Sequence, residues 1–161
     1  RSNTVMLGYY GKPEKTVETW KNLWLHTGDL GKVDEDGELQ FVDRMAFFIR
    51  RRGENVSSYE VENAVASHDA VEESAAIGVP SELGEEDIKI VVRTKPGRSV
   101  EPLELVKHCE ARLAYFKVPR YVEFTESFPK TETERIRKNE LKEAGIGDAW
   151  DREEAGYEVS R

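Results

Sequence analysis

Asp43-Arg44-Met45-Ala46-Phe47-Phe48-Ile49-Arg50-Arg51-Arg52-Gly53-Glu54-Asn55-Val56-Ser57-Ser58-Tyr59-Glu60 is the stretch on which the fold turns. It reads as an apolar strand that becomes basic, a glycine turn, and the capped start of a helix. Ser57 followed three residues later by Glu60 has the form of a capping box. Val61, Ala64, Val65 and His68 then recur at helical spacing. Gly53 sits between strand and helix, where a residue tolerant of positive φ lets backbone N–H groups approach a ligand closely. With Arg44, Arg50, Arg51 and Arg52 nearby, the stretch suits recognition of a phosphate or a carboxylate.

Upstream, residues 13–20 read as a short, partly amphipathic helix, and Trp24-Leu25-His26 as a short strand entering the turn Thr27-Gly28-Asp29. Asp34-Glu35-Asp36-Gly37 is a hairpin turn with its return strand at 38–42. Downstream come a strand at 47–51, a helix at 57–68, a strand at 71–79, a polar loop at 81–85 and an alternating strand at 88–94. Pro102 opens a helix whose apolar face is Leu103, Val106, Cys109 and Leu113. A strand at 118–124 and a helix at 136–144, stopped by Gly145, complete the pattern. Residues 148–161 are charged and aperiodic, which predicts a flexible tail. Irregular alternation of strands and helices around hairpins predicts an α+β fold, a small mixed sheet with flanking helices preceded by a β-hairpin.

The chain has 161 residues, 38% hydrophobic and 35% charged, with a formal net charge of −8. That is enough for one ordinary core, and the acidic balance argues against a general nucleic-acid surface. The single Cys109 precludes an intrachain disulfide and fits a reducing, cytoplasmic setting. No apolar run approaches transmembrane length. The opening Arg1-Ser2-Asn3-Thr4-Val5-Met6-Leu7-Gly8-Tyr9-Tyr10 looks like mid-protein sequence, so a longer parent protein is expected. His26, His68 and His108 have no metal-ligand spacing, so no metal site is expected in this chain. His68 is expected to meet the C-terminal end of its helix dipole. Cys109 reads as a small core residue, since consecutive helical positions cannot pair it with His108.

Four motifs together carry a family resemblance. Trp24-Leu25-His26-Thr27-Gly28-Asp29-Leu30-Gly31 comes first, then Asp43-Arg44 with Ile49, Gly53-Glu54-Asn55-Val56 and Glu60-Val61-Glu62. Tyr115-Phe116-Lys117-Val118-Pro119 and Pro129-Lys130-Thr131 follow. In this order and spacing, over residues 5–145, they resemble the C-terminal portion of AMP-forming acyl-CoA synthetases, members of the adenylate-forming superfamily. The resemblance implies that residues 1–43 end a large N-terminal domain, 44–146 form a mobile lid, and 147–161 are the tail. It implies a two-step reaction using ATP, CoA and Mg2+, in which an acyl-adenylate forms and the lid then rotates for CoA to displace AMP. Asp29 and Arg44 would hold the nucleotide, Gly53, Glu54 and Asn55 would line the CoA loop, and Asp43 and Ala46 would form the hinge. Arg50, Arg51 and Arg52 could help hold CoA phosphates, or form a solvated basic strand. The phosphate loop and acyl pocket lie upstream in the family, so the missing N-terminal domain is the implied partner and the isolated chain is expected to be inactive.

Two positions depart from the pattern. Thr133-Glu134-Arg135-Ile136 stands where the family has Thr-Gly-Lys-Ile, so Arg135 takes the place of the catalytic lysine. Lys130 and Lys138 are other nearby cations. Ala46 stands where relatives usually carry Asp or Lys at the hinge. From the residues alone, Asp29 is as readily a turn-stabilising carboxylate and Arg44 a surface partner of Asp43. Three alternatives stay open: a carrier-protein-loading enzyme, a luciferase-like member, and a degenerate, non-catalytic lid.

Overall fold

A computed structural model describes residues 2–82 and 84–160 of the chain. Leu83, within the expected 81–85 loop, and the terminal Arg1 and Arg161 lie outside the described residues. The chain divides into two compact units, Arg1–Ala46 and Phe47–Arg161.

In the first unit, helix α1 (Pro13–Thr19) begins with proline, whose missing N–H is no loss at a helix start. Strands β1 (Trp20–Lys21) and β2 (Trp24–Leu25) pair through Asn22 and Leu23, both at positive φ. Strands β3 (Asp29–Val33) and β4 (Leu39–Arg44) form the expected antiparallel hairpin. Its turn is fastened by Asp34, whose Oδ1 accepts the N–H groups of Asp36 at 3.1 Å and Glu38 at 2.9 Å.

In the second unit, a 3₁₀ turn at Met45–Phe47 crosses into it and is followed by the hairpin of β5 (Ile49–Arg51) and β6 (Glu54–Val56). Helix α2 (Ser58–Ala66) starts at the expected cap, where Ser57 accepts the Glu60 N–H. Strands β7 (Val71–Pro80) and β8 (Glu86–Thr94) are an antiparallel pair. Helix α3 (Pro102–Glu110) carries the chain over to β9 (Tyr121–Phe124), which pairs with β8 in parallel. Helix α4 (Lys138–Glu143) and β10 (Trp150–Asp151) follow, and the mixed sheet has the order β10-β9-β8-β7. This is the α+β architecture expected.

Side-chain alternation along β8 distributes two cores. Ile88, Ile90 and Val92 face one side with Val61 and Val65 of α2 and Leu105, Val106 and Cys109 of α3. Val91 faces the other with Ala75, Phe128, Ile136 and Leu141. Burial pushes the Cys109 thiol up to about 12, as expected of a cysteine used for packing.

Several boundaries differ from expectation for physical reasons. The face of α3 is Leu105, Val106 and Cys109 rather than one running through Leu103. The expected strand at 118–124 starts only at Tyr121, because Tyr115–Lys117 forms a 3₁₀ turn before it. Ile136 is not helical: it bridges Lys130 across a tight turn. His68 lies beyond Ser67, the C-cap of α2; its Nδ1 accepts the Ala70 N–H at 3.2 Å and its Nε2 faces Glu104 at 3.4 Å.

The flexible tail is the clearest correction. Residues 148–160 are docked: Trp150 and Asp151 pair with Val122 and Tyr121, and Arg152 is 5% exposed. Tyr157 donates to Glu110, and with Val159 packs on the core. Asp151, Arg152 and Glu153 have internal partners, which composition cannot show.

Candidate functional site

The first unit carries two of the candidate residues, Asp29 and Arg44. Asp29 opens β3 and Arg44 closes β4, and register makes them direct neighbours. Arg44 Nε lies 3.1 Å from Asp29 Oδ1. Gly28 precedes Asp29 at φ +76, and its carbonyl accepts the Met45 N–H at 2.8 Å. Thr27 Oγ1 accepts the Asp29 N–H at 3.2 Å. Arg44 therefore pairs with Asp29, not with Asp43. Asp43 is buried, its carboxylate accepting the Arg44 backbone N–H at 2.7 Å. Ala46 is exposed within the 3₁₀ turn where the first unit ends.

In the second unit the β5–β6 hairpin presents Gly53. Arg51 and Glu54 are the last ladder pair, leaving Arg52 and Gly53 as a two-residue turn with φ of 52 and 77. Two consecutive positive φ values are those of a type I′ turn, whose twist matches that of the strands. The Arg52 guanidinium lies over the Tyr115 ring at 5.6 Å. A Cβ built on Gly53 would meet nothing within 4 Å. Glu54 and Asn55 are exposed, with Arg50 Nη1 donating to Asn55 Oδ1 at 3.0 Å.

The three arginines before the turn have different fates. Arg50 and Arg52 are exposed, whereas Arg51 is 4% exposed and committed to the fold. Its Nη1 donates to the carbonyls of Val118 at 2.7 Å and Phe116 at 3.3 Å, and its Nε meets Asp87 at 3.3 Å. Burial pushes this guanidinium below its ordinary range and Asp87 opposes the shift. Asp87 also takes Arg120 at 3.1 Å, and Arg120 reaches Asp151 at 2.8 Å. Hydrogen bonding to Asp151 holds Arg120 above its ordinary range. Arg51 is thus unavailable as a phosphate ligand.

The loop carrying Arg135 is a compact turn. The Thr131 N–H donates to the Arg135 carbonyl at 2.8 Å, and the Arg137 N–H to that of Pro129 at 2.8 Å. Thr131 Oγ1 accepts the Arg135 N–H at 3.2 Å. Glu134, at the position of the family glycine, has φ of 61, the left-handed region. Of the nearby cations, Lys130 is paired with Glu73 at 3.0 Å and Glu134 at 3.5 Å. Lys138 is paired with Glu62 at 2.7 Å, hydrogen-bonds Ser58 at 2.8 Å, and lies over the Phe47 ring at 4.9 Å. Arg135 is exposed, and its guanidinium has no partner among the described residues. It is the cation the loop offers.

Sequence reasoning missed two contacts around these loops. Lys138 with Glu62 fastens the Arg135 turn to α2. Glu85, Glu86 and Asp87 meet the Gly53 hairpin. The visible signal for the second was a run of acids opening one strand opposite a run of arginines closing another. Among the described residues no group of three or more His, Cys, Asp or Glu side chains is arranged to hold a metal ion, and no helix is long and apolar enough to cross a membrane.

Comparison with known proteins gives a consistent match. The AMP-binding enzyme C-terminal domain matches residues 60–135. A long-chain-fatty-acid–CoA ligase of Yersinia pestis is 43% identical over 146 residues, which are 91% of this chain and 26% of the relative. The 3-[(3aS,4S,7aS)-7a-methyl-1,5-dioxo-octahydro-1H-inden-4-yl]propanoyl:CoA ligase of Rhodococcus jostii is 44% identical over 144 residues, covering 89% of this chain and 28% of the relative. In three dimensions the chain matches the anthranilate CoA ligase AuaEII in complex with anthranoyl-AMP, with a TM-score of 0.82 and 34% identity, over 90% of this chain and 29% of that one. The chain thus spans between a quarter and a third of the length of these relatives.

Proposed function

The chain belongs to the adenylate-forming enzymes, matching their C-terminal portion, and from that premise we propose that it is the hinge and lid of an acid–thiol ligase. The reaction would convert a carboxylate, ATP and CoA to acyl-CoA, AMP and pyrophosphate. Residues 1–43 then end the large adenylating domain, with Asp43 and Ala46 as the hinge residues, the second of them closing the first compact unit. Residues 44–146 are the lid, and the missing N-terminal domain is its partner, as the short span against the relatives supports. A cytoplasmic setting belongs to the same proposal.

The observation that carries this reading is the turn at Gly53. Exposed backbone, two positive φ values and open space where a side chain would stand suit close passage of a thin, flexible thiol arm. Asp29 suits a ribose: its Oδ1 is turned to Arg44, and its Oδ2, without a partner among the described residues, can accept from a vicinal hydroxyl. Arg44 adds charge on the phosphate side. Arg135 would stabilise the negative charge that develops as the carboxylate attacks phosphorus, through a planar fork in place of a compact ammonium. Magnesium would neutralise phosphate charge in the first step. Among the described residues no group of three or more His, Cys, Asp or Glu side chains could hold it, so its ligands would come from the nucleotide and from elsewhere in the enzyme.

Alternating use of the two lid faces is domain closure, with backbone change absorbed at a few hinge residues. Ala46 permits that rotation and offers no side-chain hydrogen bond to hold either position. One observation favours a second reading, a non-catalytic lid: Glu134 brings a negative charge beside Arg135 at a backbone position that favours glycine.

Pyrophosphate release with a panel of carboxylic acids, and CoA-dependent AMP formation, test the proposal on the enzyme that carries this chain and on the chain alone. Both reactions are expected from the enzyme and neither from the chain. Turnover by the chain alone would overturn the assignment, and an enzyme that adenylates no acid would favour the non-catalytic lid.

A further inference from the structure

We propose that Glu85 is a positioning residue for the Gly53 turn and, through it, for the acyl-transfer half of the reaction. This rests on the reading of that turn as the thioester loop. Three consecutive carboxylates meet the β5–β6 hairpin, two at backbone N–H groups and one at a guanidinium. Glu86 Oε2 accepts the Arg50 N–H at 3.1 Å on the outer edge of β5. Asp87 Oδ1 meets the Arg51 guanidinium at 3.3 Å. Glu85 Oε1 accepts the Gly53 N–H itself at 3.0 Å. The first two hold the strand; Glu85 holds the turn.

A two-residue turn leaves its central peptide outside the strand ladder, because the last ladder pair is Arg51 with Glu54. That peptide, between Arg52 and Gly53, can rotate with little change to the strands, and rotation re-aims the backbone that a thiol arm would pass. A carboxylate on the Gly53 N–H opposes the rotation, since a charge-assisted hydrogen bond to one orientation is lost in the other. Lys142 in turn pairs with Glu86 at 2.5 Å, so the acidic run is anchored from α4. Glu85 is half-buried and makes its contact within the lid, so the turn is set before any substrate arrives.

The variants Glu85→Ala and Glu85→Gln test this, the second keeping an acceptor oxygen at the same reach. Amide hydrogen exchange of Gly53 is measured in this chain. Pyrophosphate release without CoA, CoA-dependent AMP formation and KM for CoA are measured in the enzyme that carries it. For Glu85→Ala, Gly53 exchange is expected to rise and CoA-dependent turnover to fall, each about tenfold, with pyrophosphate release within about twofold of the parent. Glu85→Gln should recover most of both losses. Unchanged Gly53 exchange would overturn the proposal, as would an equal fall in both half-reactions, which marks a merely structural residue. Faster exchange with neither half-reaction altered would overturn the thioester-loop reading itself, and the proposal with it.

Discussion

Substituting Glu134 by glycine and, separately, by alanine isolates the cost of the backbone at the Arg135 turn. In ordinary helical or extended backbone, glycine is less stable than alanine by roughly 0.5–1 kcal/mol, because it loses more freedom on folding. At Glu134 φ is 61, where a Cβ crowds the following carbonyl at a cost of roughly 1–2 kcal/mol. Both variants lose the Lys130 pair, which at 3.5 Å and 82% exposure of Glu134 contributes at most about 0.5 kcal/mol. That loss cancels when the two are compared. What remains is left-handed strain less the glycine entropy, so Glu134→Gly should be the more stable by about 0.5–1 kcal/mol. Urea unfolding reads this directly: with a slope of about 1–3 kcal/mol/M, the glycine midpoint should lie about 0.2–1 M above the alanine midpoint. Equal midpoints, or alanine ahead, would refute the strain argument and with it the physical case that this turn was built around a glycine.

Lys138→Met should destabilise the chain by about 1–3 kcal/mol, because it removes the ammonium that offsets the charge of the half-buried Glu62 carboxylate and leaves that carboxylate only neutral donors such as the Ala76 N–H, while Lys138→Arg should keep most of the stability; thermal unfolding of the three proteins decides. Gly53→Leu should cost about 1–2 kcal/mol from φ alone, since a Cβ there meets no atom within 4 Å, yet should abolish CoA-dependent turnover; collapse of the fold instead would contradict the open geometry. Burial, with Arg112 and His68 adding to it, holds His108 below its ordinary pKa, so the folded state prefers the neutral ring. Stability from this group is present above about pH 6.5 and is lost as pH falls from that unfolded value through the lower folded one, so the urea midpoint should drop more between pH 7.5 and 5.5 in the parent than in His108→Gln. Cys109 should resist thiol reagents at pH 8 until the chain is unfolded, because its thiol is pushed up to about 12.

What was legible in the sequence is local or periodic. The Ser57 cap, the Asp34 turn and the Gly53 turn each depend on atoms a few residues apart, and short-range chemistry decides them. The faces of β7 and β8 follow from alternation against a buried sheet. The Glu85 contact to Gly53, the Lys138 contact to Glu62 and the docking of Asp151 on Arg120 join residues far apart in the chain. Nothing in composition distinguishes a charge with a buried partner from a charge in water. Arg51 shows this most plainly: it sits between two exposed arginines and is itself buried. Ile136 failed for a different reason, since the Thr131 hydroxyl and the Lys130 bridge satisfy the backbone there before a helix can begin.

The sheet order has a bearing on synthesis. β9 lies between β8 and β10, and β10 is the last of the four strands of this sheet to be made. Until it emerges from the ribosome, one side of β9 presents unpaired N–H and C=O groups, and Arg120 lacks Asp151. The nascent second unit is therefore exposed to pairing with another chain for as long as translation takes from Phe124 to Asp151, a few seconds at about 5–20 residues per second. A stop codon or proteolytic cut just after Ala149 would make that passing vulnerability permanent, giving a protein that keeps every candidate site residue and aggregates through the edge of β9.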